Sequence, residues 1–295
     1  MPVADVKLTS ADRVLFPDDG VTKGDVFEYY RAVAPALIPH LRDRPFTMKR
    51  YPHGIDGEAF FQKQAPKHLP PWIPTRQFRT HPREGGSRLV DFALVNSVEA
   101  VLFMVQNNCI DMNAWYSRVD KPDRPDFVLF DLDPPDDGFA LAIEVAHLIR
   151  ELLEELGLPG YVKTSGADGI HVLVPIERRH TYDETRRFSE IVAGAIARSY
   201  PKLATTQWSK AKRRGVLIDA NQNGEGKTIA SAYSVRPRPG APVSTPLRWD
   251  EVKPGLDPAQ FTMDVVQQRV AQHGDLFEGV LKTKQRLNDA LKVLS

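Results

Sequence analysis

Apolar residues recur at helical spacing along some stretches of the chain and run together along others, with short polar breaks between them. Thr22, followed three residues later by Asp25, resembles a capping box and opens a predicted helix through Phe27, Tyr30 and Val33, whose length Pro39 limits. "SVEAVLFMVQNN" reads as a buried helix starting from Ser97. "DFVLFDL" suits a strand. "ALAIEVAHLIRELLEELG" then predicts a helix with Leu141, Val145, Leu148, Leu152 and Leu156 on one face and Gly157 as its stop. "GYVKTSGADGIHVLVPI" predicts a hairpin with a glycine-containing loop. "YDETRRFSEIVAGAIARSYP" gives another helix, "GVLIDANQN" another strand, and the terminal "DVVQQRVAQHGDLFEGVLKTKQRLNDALKVL" one or two helices at the edge. Strands interleaved with helices in this way predict an α/β layer structure.

Composition narrows the picture. With 295 residues, 42% of them apolar, the chain can bury a substantial core, and the absence of any linker or repeat predicts one continuous domain over 1–295. No run of eighteen uncharged apolar residues occurs, and "MPVADVKLTSADRVLFP" lacks the basic and apolar regions of a secretory signal, so a soluble cytoplasmic protein with no membrane partner is expected. Cys109 is the single cysteine, which excludes an intrachain disulfide and a cysteine zinc cluster and predicts a buried small hydrophobe.

A net charge of +1 by itself argues against a nucleic-acid partner, but the charges are unevenly spread. Basic residues gather at Arg42, Arg44, Lys49 and Arg50, at Lys210, Lys212, Arg213 and Arg214, and at Arg236 and Arg238, while acids gather in "DLDPPDD" and "RELLEELG". Any one of these clusters can be a solvated face.

Candidate chemistry centres on "DFVLFDLD". In an extended segment Asp131 and Asp133 share a side, about 7 Å apart at roughly 3.3 Å per residue, and Pro134–Pro135 end the strand there. Two anions so placed call for a cation, and oxygen ligation without cysteine or paired histidines suits magnesium or manganese. "VLID" repeats the pattern with Asp219, which completes a three-carboxylate site if the two strands are neighbours. The residues alone leave open a polar strand end for the pair and a turn-initiating role for Asp219.

A phosphate needs donors, and the loop "TSGADGIHV" offers them: Gly166 and Gly169 permit a tight backbone with exposed N–H groups, with Ser165 and His171 at its two ends. "NGEGKT" resembles the end of a P-loop, but the first glycine falls at Asn221 and a strand-like "IASAYSVRP" follows, so Lys227 and Thr228 belong to a different site. Arg236, beyond a strand-like "AYSV", suits a triphosphate clamp. Phe60 and Phe61 lie between Lys49–Arg50 and Lys63, a combination able to stack bases, and their alternation in a strand places one of the two in the core.

Taken together, "RVLFPDDGVTKGDVFEYY", "MKRYPHGIDGEAFFQKQ", "DFVLFDLDP", "KTSGADGIHVLVPI" and "VLIDANQNGEGKTIASAYSVRPRPGAPVSTPL" resemble the polymerase domain of bacterial ligase D, a branch of the archaeo-eukaryotic primase superfamily, over nearly the whole chain. The resemblance implies a primase-polymerase fold of α+β type, with a recognition-motif-like catalytic sheet packed with a smaller helical and stranded layer. It implies addition of nucleotides, often ribonucleotides, to primer ends in gap filling and end-joining repair. Two divalent ions, Mn2+ or Mg2+, would be held by Asp131, Asp133 and Asp219. Lys49, Phe61, Ser165, Gly169, His171, Thr228 and Arg236 would bind the nucleoside triphosphate, Phe61 beneath the base, and Arg13 and Lys23 would grip a downstream 5′-phosphate. Expected partners are gapped, nicked or 3′-overhanging DNA, an end-binding Ku and a separate DNA ligase, with the protein associated with the nucleoid.

Two positions depart from the family's pattern: Asn113 where a histidine is common, and Asp168 where a lysine often stands. The sequence ends after its last predicted helix, which reads as a free-standing relative. The competing expectations are a metal-dependent nuclease, which needs no triphosphate site, and a catalytically weak module that only binds 5′-phosphorylated ends.

Overall fold

The computed structural model describes residues 6–80, 86–136 and 138–294. Asp137 of the acidic stretch and the first five residues of the stretch read for a signal therefore lie outside the described residues. The chain divides into two compact units, each assembled from three separated segments. One takes the chain up to Asp120 together with Thr228–Ser244 and Ala259–Asp275; the other takes Lys121–Lys227, Thr245–Pro258 and the chain from Leu276.

In the first unit the helix Lys23–Leu41 begins as the sequence predicts. Thr22 Oγ1 accepts from the Asp25 N–H, and the Asp25 carboxylate accepts from the Thr22 N–H in return, so two N–H groups that the first turn cannot satisfy are bonded. The helix runs past Pro35 and Pro39, two residues beyond the expected limit. Replacing Thr22 by Ala removes this cap and should cost about 1 kcal/mol, read as a lowered Tm. The helix packs on a second one, Val98–Gln106, which starts from Ser97 as expected, and the Ser97 hydroxyl caps it by accepting the Ala100 N–H. The unit also holds a four-stranded antiparallel sheet in the order Thr228–Ala230, Cys109–Trp115, Phe46–Arg50, Phe60–Gln62. Cys109 is fully buried, and burial pushes its thiol up to about 12, so it is an inert hydrophobe.

The second unit is built on a six-stranded sheet in the order Ala204–Thr205, Val216–Ile218, Phe127–Asp133, Ile170–Pro175, Tyr161–Thr164, Pro246–Leu247. Only the first pair is parallel. Helices Phe139–Glu155 and Tyr182–Ser199 pack on the central strand, where Phe188 meets Phe130 edge-on. The first of these buries Ala142, Val145, Ala146, Ile149 and Leu153, so the packed stripe is displaced from the expected leucine row. Small alanines allow the close approach to the sheet, and Leu141, Leu148 and Leu152 flank it half-buried. Gly157, at φ +67, ends the helix in a left-handed turn that returns the Leu158 N–H to the Leu153 carbonyl.

The C-terminal stretch holds three helices, Met263–His273, Glu278–Lys282 and Asn288–Leu294, where one or two were expected. Gly274, at φ +66, breaks the first. The predicted strand at 232–235 is absent: regular pairing ends at Ala230, Tyr233 takes φ +67, and an irregular hairpin follows in which Arg236 N–H bonds the Pro242 carbonyl. No described helix is long and apolar enough to cross a membrane.

Candidate active site

The central strand of the second unit carries the paired aspartates. Asp131 lies opposite His171, and Leu132 opposite both Ile170 and Ile218. The Asp219 N–H bonds the Asp131 carbonyl at 2.9 Å, which extends the pairing so that these two aspartates face each other across adjacent strands. On the other side, His171 lies opposite Lys163. Residues directly opposite one another share a face of the sheet, so Lys163, His171, Asp131 and Asp219 form one polar row across four strands. Leu132, fully buried, is turned the other way.

The row is bonded end to end on one side. The His171 imidazole is 2.7 Å from the Lys163 ammonium through Nδ1 and 3.1 Å from Asp131 Oδ1 through Nε2. An ammonium can only donate, so Nδ1 accepts and the ring proton sits on Nε2, where it is given to Asp131. All three side chains are almost wholly buried, which holds one oxygen of Asp131 in a set direction. Asp219 is oriented in a different way: its Oδ1 accepts the Asn221 N–H at 2.9 Å, so it also caps a short turn. That turn is pinned by buried Asn223, whose amide bonds both the N–H and the carbonyl of Leu129 at 2.8 Å. A side chain here imitates a strand partner, and the Asp219 turn is thereby tied to the strand that carries the other two carboxylates.

Electrostatics mark the three as a crowded set. Burial first, then Asp131, pushes Asp133 up to about 6, against the pull of Arg213; Asp219 adds to the rise. Burial and Asp131 also raise Asp219, and its bonds to Asn221 oppose them. Among the described residues no three acidic, histidine or cysteine side chains stand close enough to grip an ion as they are placed. The donor set nonetheless fits a hard divalent cation: three carboxylates, of which Asp131 raises the other two, and no sulfur. A cavity of about 250 Å3 is lined by Asp219 together with Glu190, Thr206 and Trp208.

The glycine loop closes on this row. Ser165 Oγ accepts the N–H groups of Ala167 and Gly169 at 3.1 and 3.0 Å, so the Gly169 donor that the sequence suggested as exposed is turned inward and shapes the loop. A Cβ at Gly169 would lie 2.3 Å from the Leu132 carbonyl oxygen; glycine is required there for space. Asp168 is exposed at the tip.

In the first unit, Lys49 lies opposite Asp111 on one side and Phe61 on the other, and Thr47 lies opposite Asn113. Asn113 in turn lies opposite Ala230, which puts Thr228 on the same face by alternation. Phe61 is 63% exposed and Phe60 43%. Neither belongs to the core, contrary to the expectation for one of them, because their strand is the edge of the sheet. Each has a cation over its ring, Lys49 at 5.5 Å from Phe61 and Arg50 at 5.5 Å from Phe60. The basic cluster at 42–50 is partly spent internally: buried Arg44 donates to the carbonyls of His40, Trp115 and Tyr116, and Arg50 to that of Asn107. Trp208 and Lys210 through Lys212 are exposed.

Arg13 and Lys23 come together at the start of the first helix. Lys23 is buried, bonded to the Thr9 carbonyl and to Gln106 at 3.1 and 3.0 Å, and burial followed by the nearby Arg13 charge brings it down to about 8. Exposed Arg13 reaches the Pro52 carbonyl and Asn108. Two neighbouring cations favour an anion.

A model of the LigD primase-polymerase domain matches residues 22–277. The chain belongs to the LigD primase-polymerase family. By family it is a nucleotidyltransferase of mixed α and β structure, as the resemblance implied. It is similar to the polymerase domain of Mycobacterium tuberculosis ligase D in a complex with DNA, with a TM-score of 0.87 at 32% identity over 95% of this chain and 99% of that one. It is 32% identical over 272 residues to the bifunctional non-homologous end joining protein LigD of Bacillus subtilis, covering 91% of this chain and 43% of the relative. To the multifunctional LigD of Mycolicibacterium smegmatis it is 34% identical over 277 residues, covering 92% and 35%. The chain thus spans less than half the length of these curated relatives.

Sequence reasoning missed three side chains that contact or lie opposite the expected site residues or their strands: Lys163 beside His171, Asn223 on the Asp131 strand and Asp111 opposite Lys49. Lys163 stands inside the quoted "KTSG", and the signal was available: hairpin register places it opposite His171. Asn223 and Asp111 left no such signal, because their partners are 94 residues away for one and on another strand for the other.

Proposed function

We propose that the protein extends the 3′ end of a DNA strand by nucleotidyl transfer, filling gaps at broken ends that carry a downstream 5′-phosphate. The observation that supports this most directly is the polar row of Lys163, His171, Asp131 and Asp219, with Asp133 two residues along the strand from Asp131. The names of the relatives supply the setting, end joining, and we read the two compact units as parts of one catalytic domain acting in the cytoplasm at the chromosome.

In this reading Asp131, Asp133 and Asp219 hold two divalent ions, Mn2+ or Mg2+. When bound, such ions activate the attacking hydroxyl and stabilise the leaving oxygen. The primer 3′-oxygen forms a bond to the α-phosphorus, the bond to the bridging oxygen breaks, and pyrophosphate leaves. His171, locked between Lys163 and Asp131, keeps Asp131 aimed. Ser165, Thr228, Lys49 and Arg236 hold the triphosphate, and Gly169 shapes the loop that presents Ser165. Phe61 offers its exposed face to the base. Arg13 and Lys23 take the 5′-phosphate, in company with Ku and a separate ligase.

The test is extension of a primer on gapped DNA with a 5′-phosphate, comparing ribo- and deoxynucleotides, each with magnesium and with manganese. Lengthening that depends on Asp131 supports the reading, with ribonucleotides and manganese expected to serve best. No lengthening under any condition, or shortening without added nucleotide, rejects it. Phe61→Ala should raise KM for nucleotide by roughly 5- to 150-fold, the equivalent of about 1–3 kcal/mol of stacking, with little change for different bases because every base has a π face. Arg13→Ala should weaken binding to gapped DNA bearing a 5′-phosphate while leaving binding to a 5′-hydroxyl end nearly unchanged.

A further inference from the structure

Buried Asp111 has no part in the roles assigned above, yet it occupies the middle of the first unit's polar face. It lies opposite Lys49 in the strand register, with its side chain 3% exposed. Its Oδ2 is 4.0 Å from Lys49 Nζ and 3.7 Å from Arg236 Nε, so two cations share one oxygen. Both distances are ion-pair contacts beyond hydrogen-bond range. The other oxygen, Oδ1, is buried and accepts no hydrogen bond, and neither does the hydroxyl of neighbouring Tyr51. A carboxylate placed for stability alone would be expected to have its lone pairs filled, since a buried anion is costly unless fully bonded.

Two further contacts extend the group. Lys49 Nζ lies 5.3 Å from the Tyr51 ring centroid and 5.5 Å from that of Phe61. Burial pushes Asp111 up, and Arg236 followed by Lys49 draws it back, which shows both cations acting on the same group. Without the carboxylate the two would repel each other, and the flexible lysine stem would disperse its charge.

We propose that Asp111 is a positioning residue for nucleotide binding: its buried carboxylate holds Lys49 and Arg236 side by side, with Lys49 over Phe61, so that the stacking face and the two phosphate-binding cations form one preset unit for a nucleoside triphosphate. This rests on the functional reading above, which assigns Lys49, Phe61 and Arg236 to the nucleotide. It adds the group that organises them. Setting both cations before the ligand arrives reduces the ordering cost of binding.

The experiment measures ATP binding to the whole chain by titration calorimetry, and KM and kcat in primer extension, for the parent and for Asp111→Asn, Asp111→Glu, Lys49→Met and the Asp111→Asn/Lys49→Met double variant. Asparagine keeps the shape and removes the charge; glutamate keeps the charge and crowds the space. The proposal expects Asp111→Asn to weaken ATP binding and raise KM by about tenfold with kcat within about threefold, and Asp111→Glu to stay within about threefold of the parent. In the double variant the two losses should fall short of multiplying, because both act through one pair.

If Asp111→Glu is the worse variant, the residue serves packing only and the proposal is overturned. The same holds if Asp111→Asn binds ATP like the parent, if kcat falls with KM unchanged, or if the double variant shows the full product of the single losses. Binding by the parent that Arg236→Ala weakens and Asp111→Asn does not would remove this inference and leave the functional reading standing. A parent that binds no ATP would remove both.

Discussion

Asp131→Ala and Asp219→Ala are each expected to lower primer extension by about 10³-fold or more, the scale seen when a group indispensable at a reacting centre is removed. Asp133→Asn should be equally inactive, and it should also make the cation-free protein more stable. The reason is the direction of its shift. A carboxyl at about 6 in the folded chain and near 3.8 in the unfolded one is disfavoured by folding once it ionises, so stability present at low pH is lost as pH rises from about 4 through about 6. Asparagine does not titrate. At pH 7 its Tm should exceed the parent's by roughly 2–4 °C, and the difference should vanish below about pH 4.

Added Mn2+ should reverse the order, raising the parent's Tm and leaving the asparagine variant where it was. Protons compete with the ion at the same oxygen, so Mn2+ affinity should fall as pH drops below about 6. Differential scanning fluorimetry with and without Mn2+, across pH 4–8, checks all of this. A variant less stable than the parent at pH 7 without metal would remove the case for a crowded anionic site.

Gly169→Ala is expected to cost about 1–3 kcal/mol of stability, the usual range for forcing a methyl group into filled space, and about 10²-fold in extension rate. The added Cβ would meet the Leu132 carbonyl oxygen at 2.3 Å, and backbone cannot swing aside as a long side chain can. Leu132 is the residue between the two aspartates and lies opposite Ile170, the next residue after the glycine. Relief therefore comes from one of two movements. Either the loop lifts and loses the bonds joining Ser165 to Gly169, or the aspartate strand shifts and the carboxylates lose their spacing. Both reach the site. Gly169 is outside the left-handed region, so a loss of this size reflects space alone. Thermal unfolding and single-turnover extension measure the two effects. An alanine variant with the parent's rate would show that the loop does not buttress the aspartates.

The row of four polar residues explains why a buried strand ends in charge. Each side chain is carried by a regular strand or by a turn pinned to one, and such positions hold direction better than a free loop. His171 illustrates the economy of the arrangement. One imidazole joins a lysine to an aspartate, and its tautomer follows from which neighbour can only donate.

What the sequence determined by itself was local. The Thr22–Asp25 cap, the helix start at Ser97, the Gly157 stop, the hairpin over 161–175 and the strand ending at Asp133 all depend on contacts within a few residues, where periodicity and capping chemistry act directly. The shared motifs carried the family as well. What only the tertiary structure decided was register and neighbourhood. Asp219 meets Asp131 because one strand aligns with another 88 positions earlier, and a slip of one residue would have turned it to the opposite side. Phe60 and Phe61 are both exposed because their strand lies at an edge, which alternation within the strand cannot reveal. Asp111 looks like any strand aspartate until Arg236, from a distant hairpin, is brought to it. Local rules say which way a side chain points; packing alone decides what it points at.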